Sequence, residues 1–595
     1  MRYRTTDRKA RIMLVSVLLL ALIAGPAIPA AATHGRDTEV TVGSNDRVFS
    51  QNKQNEPAIA VDANHPNVLA AGANDNIDLE ACNADNPKSC PFTAGVGVSG
   101  VQFSFDGGHR WIQPTYTGWT ARHCVGAPGF TCTPTFGPIG TLPWYFEEGL
   151  VADGDPALAF GPRPGPDGFS WANGSRLYYA TLTSNFSADR KDQEFRGFEA
   201  IAVSRTDDVV AAAAGDKNAW MRPVIASTRQ SQTTFADKEQ IWADNAASSP
   251  HFFNVYVCFA QFRGAAFASA PLIVARSTDG GDTWGQRQVT SASNVAPRHW
   301  GQSGCTIRTD SLGVVYVFYE EFQDPNVFLP PRGTHFMVKS FDGGNSWAQP
   351  QPIFQVTDTC RFVDPIVGRC MMDGIAGARS DLAAAPSVDI ANGAPAGADA
   401  TNLIVDVWAD GRDGQNSEDV MLSLSTDGGA TWSAPARISS APDRGYYAAP
   451  AISPDGAHIY VVYNAFTTPF RSNTSDPRSL VGVVKHAQIV GGTPGPWTEI
   501  HRGVPGDPRG SSQNNLLAEF LGDYVYAIAT RDYVAAVWND ARNASVCPAI
   551  NAYRQMLHDG TATSSSTDPA RPAPNVDCPR TFGNTDIFGG SWAHP

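Results

Sequence analysis

The chain has 595 residues, 42% of them hydrophobic, and its 58 Asp and Glu against 44 Lys and Arg give a formal charge of −14. Phosphate backbones select clustered Lys and Arg, so this balance excludes a nucleic-acid partner. It says little about small ligands, because salt screens charge over about 8 Å and leaves local groups in control.

The first residues read as an export leader. Arg2, Arg4, Arg8, Lys9 and Arg11 precede an apolar run from Ile12 to Ala24, and Pro29-Ala30-Ala31-Ala32 offers small residues where a signal peptidase can cut. Residues 1–32 are therefore expected to leave, and 33–595 to remain as one secreted, extracellular domain with no membrane attachment. An uncleaved anchor from Met13 to Ala32 is the alternative, since about 20 apolar residues span a bilayer, but Gly25, Pro26 and Pro29 interrupt it. Cleavage removes five basic residues and Asp7 and leaves −18.

Strands then follow in a recurring order. EVTV near residue 40 comes first. EPAIAVD from Glu56 and NVLAAGAND from Asn67 lead to SFDGGHRW at 104–111. A second set is DPALAF from Asp155, RLYYATLTSN from Arg176 and FEAIAVSRTDD near 198. A third is KEQIWAD from Lys238, NVYVCFAQF from Asn254 and STDGGDTW at 277–284. VVYVFYEEF from Val314 precedes SFDGGNSW at 340–347, and LIVDVWADGR from Leu403 precedes STDGGATW at 425–432. PAISPDG from Pro450, IYVVYNAF from Ile459 and VGVVKHAQIV near 481 form a set without that turn, and YVAAVWNDAR from Tyr533 belongs to a seventh. Alternating apolar residues mark strands, and no helical periodicity is evident after the leader. Seven such units over more than 500 residues predict an all-β fold, a β-propeller of seven four-stranded blades, with EVTV completing the last blade. A six-bladed ring with one inserted hairpin is the alternative.

Most of the ten cysteines come in short-range couples: Cys82 with Cys90, Cys124 with Cys132, Cys360 with Cys370 and Cys547 with Cys578. Export permits disulfides, and these couples are expected to be bridged. Cys258 and Cys305 either bridge neighbouring blades or are buried thiols. Zinc is the alternative for the set, but Cys-x-x-Cys and paired His at ligand spacing are absent.

The fourfold string Ser-x-Asp-Gly-Gly-x-x-Trp resembles the Asp boxes, or BNR repeats, of sialidases and related propellers. Its chemistry is that of a tight turn: Asp bonds amides ahead of it, Gly supplies positive φ and Trp returns as an apolar plug. The string is expected to be structural rather than catalytic.

If consecutive strands alternate in direction, the start of each first strand and the end of each second strand share one rim, opposite the Asp-box turns. That rim collects Glu56, Asp75, Asp155, Asp237, Lys238, Glu320, Glu321, Asp410, Arg412, Asp523, Asp540 and Arg542. Trp408-Ala-Asp410-Gly-Arg412 and Trp538-Asn-Asp540-Ala-Arg542 repeat one pattern, either an Asp–Arg pair that fixes a hairpin or a clamp for a carboxylate or sugar. The sialidase resemblance implies an Asp acid/base, a Tyr nucleophile polarised by Glu and an arginine triad. It assigns the acid to Asp75, the nucleophile to Tyr524 and its partner to Glu320, with Arg412, Arg542, Glu56, Asp410 and Asp540 binding substrate. A tyrosine oxygen avoids meeting an anionic sugar with a second charge. The family's first arginine lies in Phe/Tyr-Arg-Ile-Pro; here Asn55-Glu56-Pro57 stands in its place.

No cofactor is required. Calcium is the one candidate, on the alternating oxygens of Asn74, Asn76, Asp78 and Glu80. Gly95-x-Gly97-x-x-Gly100 leads into a strand rather than a helix and is no dinucleotide site. Two function classes follow: a glycan-acting enzyme on a sialidase-like scaffold, or a non-catalytic propeller that binds glycan or protein. Both expect a carbohydrate or glycoconjugate partner and a monomer.

Overall fold

The computed structural model of the protein describes residues 37–44, 53–79, 94–124, 132–264, 269–292, 300–323, 329–365, 368–511, 521–562 and 571–595. The leader, Glu80, Cys82 and Cys90 lie outside these. Seven antiparallel sheets form the blades of a propeller. The count is seven, not six, and each of the seven second strands read from the sequence is the second strand of its own blade.

Blade 1 comprises Gln54–Val61, Leu69–Asp75 and Ser99–Ser104, with a single bridge from Phe103 to Ile112 where a fourth strand would stand. A hairpin, Tyr116–Thr120 with Thr135–Ile139, separates it from blade 2. The inner strands of blades 2 to 7 are Leu150–Gly165, Phe235–Ala243, Trp300–Thr309, Ser387–Ile390, Arg444–Ile452 and Tyr526–Ala529. Blade 7 ends on Asp586–Ala593, and Thr38–Glu39 of the EVTV segment pairs with that last strand, Thr38 opposite Gly589 and Glu39 opposite Phe588. The two ends of the chain thus close the ring together.

The four Ser-x-Asp-Gly-Gly-x-x-Trp turns are alike atom for atom. The serine hydroxyl accepts from the second glycine N–H at 2.7–2.9 Å in every copy. The aspartate accepts from the backbone N–H four residues on, at 2.8–3.0 Å. Both glycines of each turn have positive φ, where L side chains strain. The turns also join blades. Arg176 of blade 2 donates to Gly280 O, Arg276 of blade 3 to Gly343 O and Lys339 of blade 4 to Gly428 O, at 2.8–3.0 Å. A cation from one blade therefore satisfies the turn carbonyl of the next.

Among the described residues there are four disulfides: Cys124–Cys132, Cys360–Cys370, Cys547–Cys578 and Cys258–Cys305. The last ties the second strand of blade 3 to the inner strand of blade 4, which resolves that pair as a bridge between blades. One expectation fails. Pro548–His558 is an eleven-residue α-helix inside the Cys547–Cys578 loop. It buries Ile550, Tyr553, Arg554 and Leu557, the i, i+3, i+4, i+7 stripe of an amphipathic helix, too short a signal to stand out against 500 residues of strands. Among the described residues no helix is long and apolar enough to cross a membrane.

Candidate functional site

The inner strands do more than line the axis. In blades 1, 2, 3, 4 and 6 the ladder to the second strand slips near its start. At these slips residues take positive φ: Glu56 (54°), Asp155 (50°, after Gly154 at 100°), Lys238 (58°), Gly304 (63°) and Tyr447 (38°). A bulge of this kind turns a side chain out of the alternating pattern. Four of the five are not glycine, and such strained backbone gathers at functional sites. Here it brings charged side chains from different blades into one cluster.

Lys238 is at the centre of that cluster. Its ammonium lies 2.7 Å from Asp523, 3.1 Å from Asp155 and 3.7 Å from Glu56. Glu56 accepts from Asn74 Nδ2 at 2.7 Å and from the Asp523 N–H at 3.0 Å. Asn74 Oδ1 in turn accepts from the Asp155 N–H at 2.8 Å. Arg379, from the loop before blade 5, pairs with Asp381, whose N–H donates to Asp523 at 3.0 Å.

Burial and these neighbours drive the carboxyl groups apart. Glu56 is held well above the usual carboxylate range, first by burial and then by the charge of Asp155. For Asp155, burial pushes up but the Lys238 charge and a hydrogen bond from Glu56 win, so it titrates low. Asp523 is low because Lys238 and Arg379 outweigh its burial. These opposite shifts favour the neutral form of Glu56 and the ionised form of Asp155, and a pair so divided can serve as acid and base. Lys238 is held well above its ordinary value, because the acids around it overcome burial. Lys53 is brought down to about 7, chiefly by burial and then by Arg379.

Tyr524 is half-buried on the same axis, and its hydroxyl makes no hydrogen bond to a described residue. Burial, then Asp155, Glu56 and Glu239, hold the phenol well above 10. With Tyr447, Asp523, Lys238 and Glu239 it lines a cavity of about 60 Å³. Glu239 is buried there with neither carboxyl oxygen hydrogen-bonded to another side chain or amide, and burial raises it well above the usual range.

The other residues expected at the site lie elsewhere. Asp75 is fully buried. It accepts from Gln113 at 2.8 Å, from Gln54 and the Ile77 N–H at 3.0 Å, and from the Ser44 hydroxyl. It caps the short helix Asn76–Asp78. Glu320 is in a separate group between blades 4 and 5. Burial, then Asp358, raises it to about 8, and His335 and Asp410 complete its surroundings. Asp410 accepts from the Trp408 indole at 2.8 Å, the Arg412 N–H at 2.9 Å and the Arg412 guanidinium. Asp540 takes the same donors from Trp538 and Arg542. Arg542 also pairs with Asp37 at 2.6 Å and covers the Phe588 ring at 3.8 Å. In both copies the arginine turns back onto its own aspartate and fixes a hairpin corner. Of the four residues proposed for calcium, Glu80 lies outside the described residues and two have their oxygens engaged within the protein. Those of Asp78 accept from Arg122, Gly140 N–H and Thr141, and that of Asn74 from Asp155.

Of the residues read from the sequence, the structure brings Glu56, Asp155, Asp237, Lys238, Asp523 and Tyr524 together. Arg379, Lys53, Glu239 and Asn74 join them unannounced. Arg379 lies in a loop with no strand pattern, and nothing in its sequence marks it.

No protein-family model and no curated protein matches this chain. Several solved structures are similar to it at low identity. The Trypanosoma rangeli sialidase is 12% identical with a TM-score of 0.36 over 75% of this chain, which spans 56% of the sialidase's length. The BP39L lectin from Burkholderia pseudomallei is 13% identical, TM-score 0.36, over 75% of this chain and 84% of the lectin. A PL25 ulvan lyase is 10% identical, TM-score 0.39, over 84% and 93%.

Proposed function

We propose that this protein is an extracellular propeller that cleaves an acidic glycan, with Glu56 and Asp155 as acid and base and Tyr524 facing them. Lys238 and Arg379 attract the sugar's anionic group. The observation that carries this reading is the buried cluster itself, in which the Lys238 ammonium lies 2.7 Å from Asp523, 3.1 Å from Asp155 and 3.7 Å from Glu56, beside a tyrosine hydroxyl that no described residue engages. A neutral carboxyl next to an ionised one is what protonation of a leaving oxygen and activation of a nucleophile require. Asp75 and Glu320 remain as the resemblance assigned them, but their surroundings favour structural roles, and Glu239 is the better partner for Tyr524. The export leader, the Asp-box nature of the four turns and a single mature domain from residue 33 belong to the same reading, which the disulfides support.

The full burial of Glu56 favours a second reading, a propeller that binds glycan without turning it over. Glycan-array binding followed by a reducing-end assay on polygalacturonate, alginate and hyaluronan separates the two. Turnover that Glu56→Gln and Asp155→Asn each abolish, with binding kept, supports the enzyme. Binding with no turnover supports the second reading, and neither binding nor turnover overturns both.

A further inference from the structure

A larger cavity occupies the channel at the Asp-box face. Its volume is about 200 Å³ against about 60 Å³ for the charged end. Gln240 and Tyr526 line both, so they stand between the two spaces. Inner strands of six blades give it apolar walls, among them Val61, Phe160, Ile241, Ile390, Ile452 and Ile528. Cavities of this character exclude water readily; one of roughly 150 Å³ accepts benzene.

One corner is polar. Arg308 comes in from blade 4, almost wholly buried, with its guanidinium 4.6 Å from the Trp242 ring. It donates to its own strand at Ile307 O, 2.8 Å, and to Tyr526, and lies 3.5 Å from Asp389. A guanidinium has five N–H donors, so these contacts leave donors for a ligand. Apolar groups make up most of the remainder, with Gln240, Asn245, Asn392, Thr530, Arg531 and Asp532 also on the lining, and pockets of mixed lining hold an apolar body and orient it by a few polar contacts.

We propose that this end of the channel is a second ligand site, for a compact aromatic carboxylate whose ring fills the apolar space and whose acid group meets Arg308. The site is independent of the glycan reading, since it shares no charged residue with the cluster around Lys238.

The test uses the mature protein with three probes of one ring size: indole-3-acetate, indole and tryptamine, followed by ligand-observed NMR. Indole-3-acetate is expected to bind most tightly, indole less and tryptamine least. Arg308→Met should bring indole-3-acetate down to the affinity of indole while indole itself is unchanged. Ala529→Phe fills the cavity and Ala63→Trp narrows its opening; each should weaken all three probes at least tenfold. Ala63 is on a half-exposed loop, so that variant reports even where Ala529→Phe fails to fold. Millimolar probes that do not bind, a preference for tryptamine, or unchanged binding in folded Ala63→Trp protein would each overturn the proposal.

Discussion

Replacing Lys238 by methionine keeps the length of the side chain and removes its charge. At an effective dielectric of about 20, the contacts at 2.7 and 3.1 Å correspond to gross attractions of about 6 and about 5 kcal/mol. Desolvation of the three groups offsets much of this, and breaking one partner out of such a buried set costs about 3–5 kcal/mol. Unfolding entropy of about 2.1 cal/mol/K per residue over the roughly 560 residues from Gly35 onward makes each kcal/mol worth about 0.9 °C. The melting temperature at pH 7 should therefore fall by about 3–4 °C. The pH dependence is the sharper test. In the wild type, Asp155 and Asp523 titrate below their unfolded value of about 4. They contribute stability above that pH and lose it as pH falls through their folded pKa. Without Lys238, burial dominates and their folded pKa rises above 4, so their effect reverses: stability is kept in acid and lost as pH rises. The gap between the two proteins, followed by differential scanning calorimetry, should be widest near pH 7 and narrow towards pH 4. A gap that is constant with pH, or that widens in acid, would refute the reasoning.

Three further outcomes are expected. Trp432→Ala removes an indole half-buried against Phe318 and Phe354 of blade 4; about 100 Å² of lost burial corresponds to about 2.5 kcal/mol in chemical denaturation. An unchanged midpoint would mean that the turn holds without its plug. Arg542→Ala should destabilise by about 2–3 kcal/mol, since it strands Asp540 and Asp37 with little access to water. If it leaves stability intact while removing glycan binding, the clamp reading is correct instead. Cys258→Ala with Cys305→Ala opens a loop of 47 residues, worth about 4 kcal/mol by chain entropy, and the double variant should unfold at correspondingly lower denaturant.

The blades were legible because strand alternation and the repeated turn act locally, through residues adjacent in sequence. Even ring closure by the EVTV segment followed from counting strands. The axial cluster was legible only as a set of polar residues at one rim. Which of them meet depends on positive φ at Glu56, Asp155 and Lys238, and those residue types do not announce such a conformation as glycine would. Gly304 makes the same bulge in blade 4, where a Cβ would come within 2.6 Å of Ala385 Cβ. Asp75 and Arg542 stand at strand ends, but the partners that turn them inward lie far from them in the sequence. Those partners, Gln113 and Asp37, come from 38 and 505 residues away. The helix after Cys547 was missed because its one amphipathic stretch of eleven residues, about three turns, is short among so many strands.

Pairing the first described strand with the last makes completion of the ring a check on the whole chain. Six blades can form as the protein emerges, but the seventh waits for Asp586–Ala593, and only then does Thr38–Glu39 find its place. A product cut short at either end would expose the edge of blade 7 and the flank of its neighbours, and quality-control proteases would have an opening to act on. The same pairing lends itself to permutation: with Asp586–Ala593 joined to Thr38–Glu39 by a short linker and the chain reopened in a loop between two other blades, the same ring should still form.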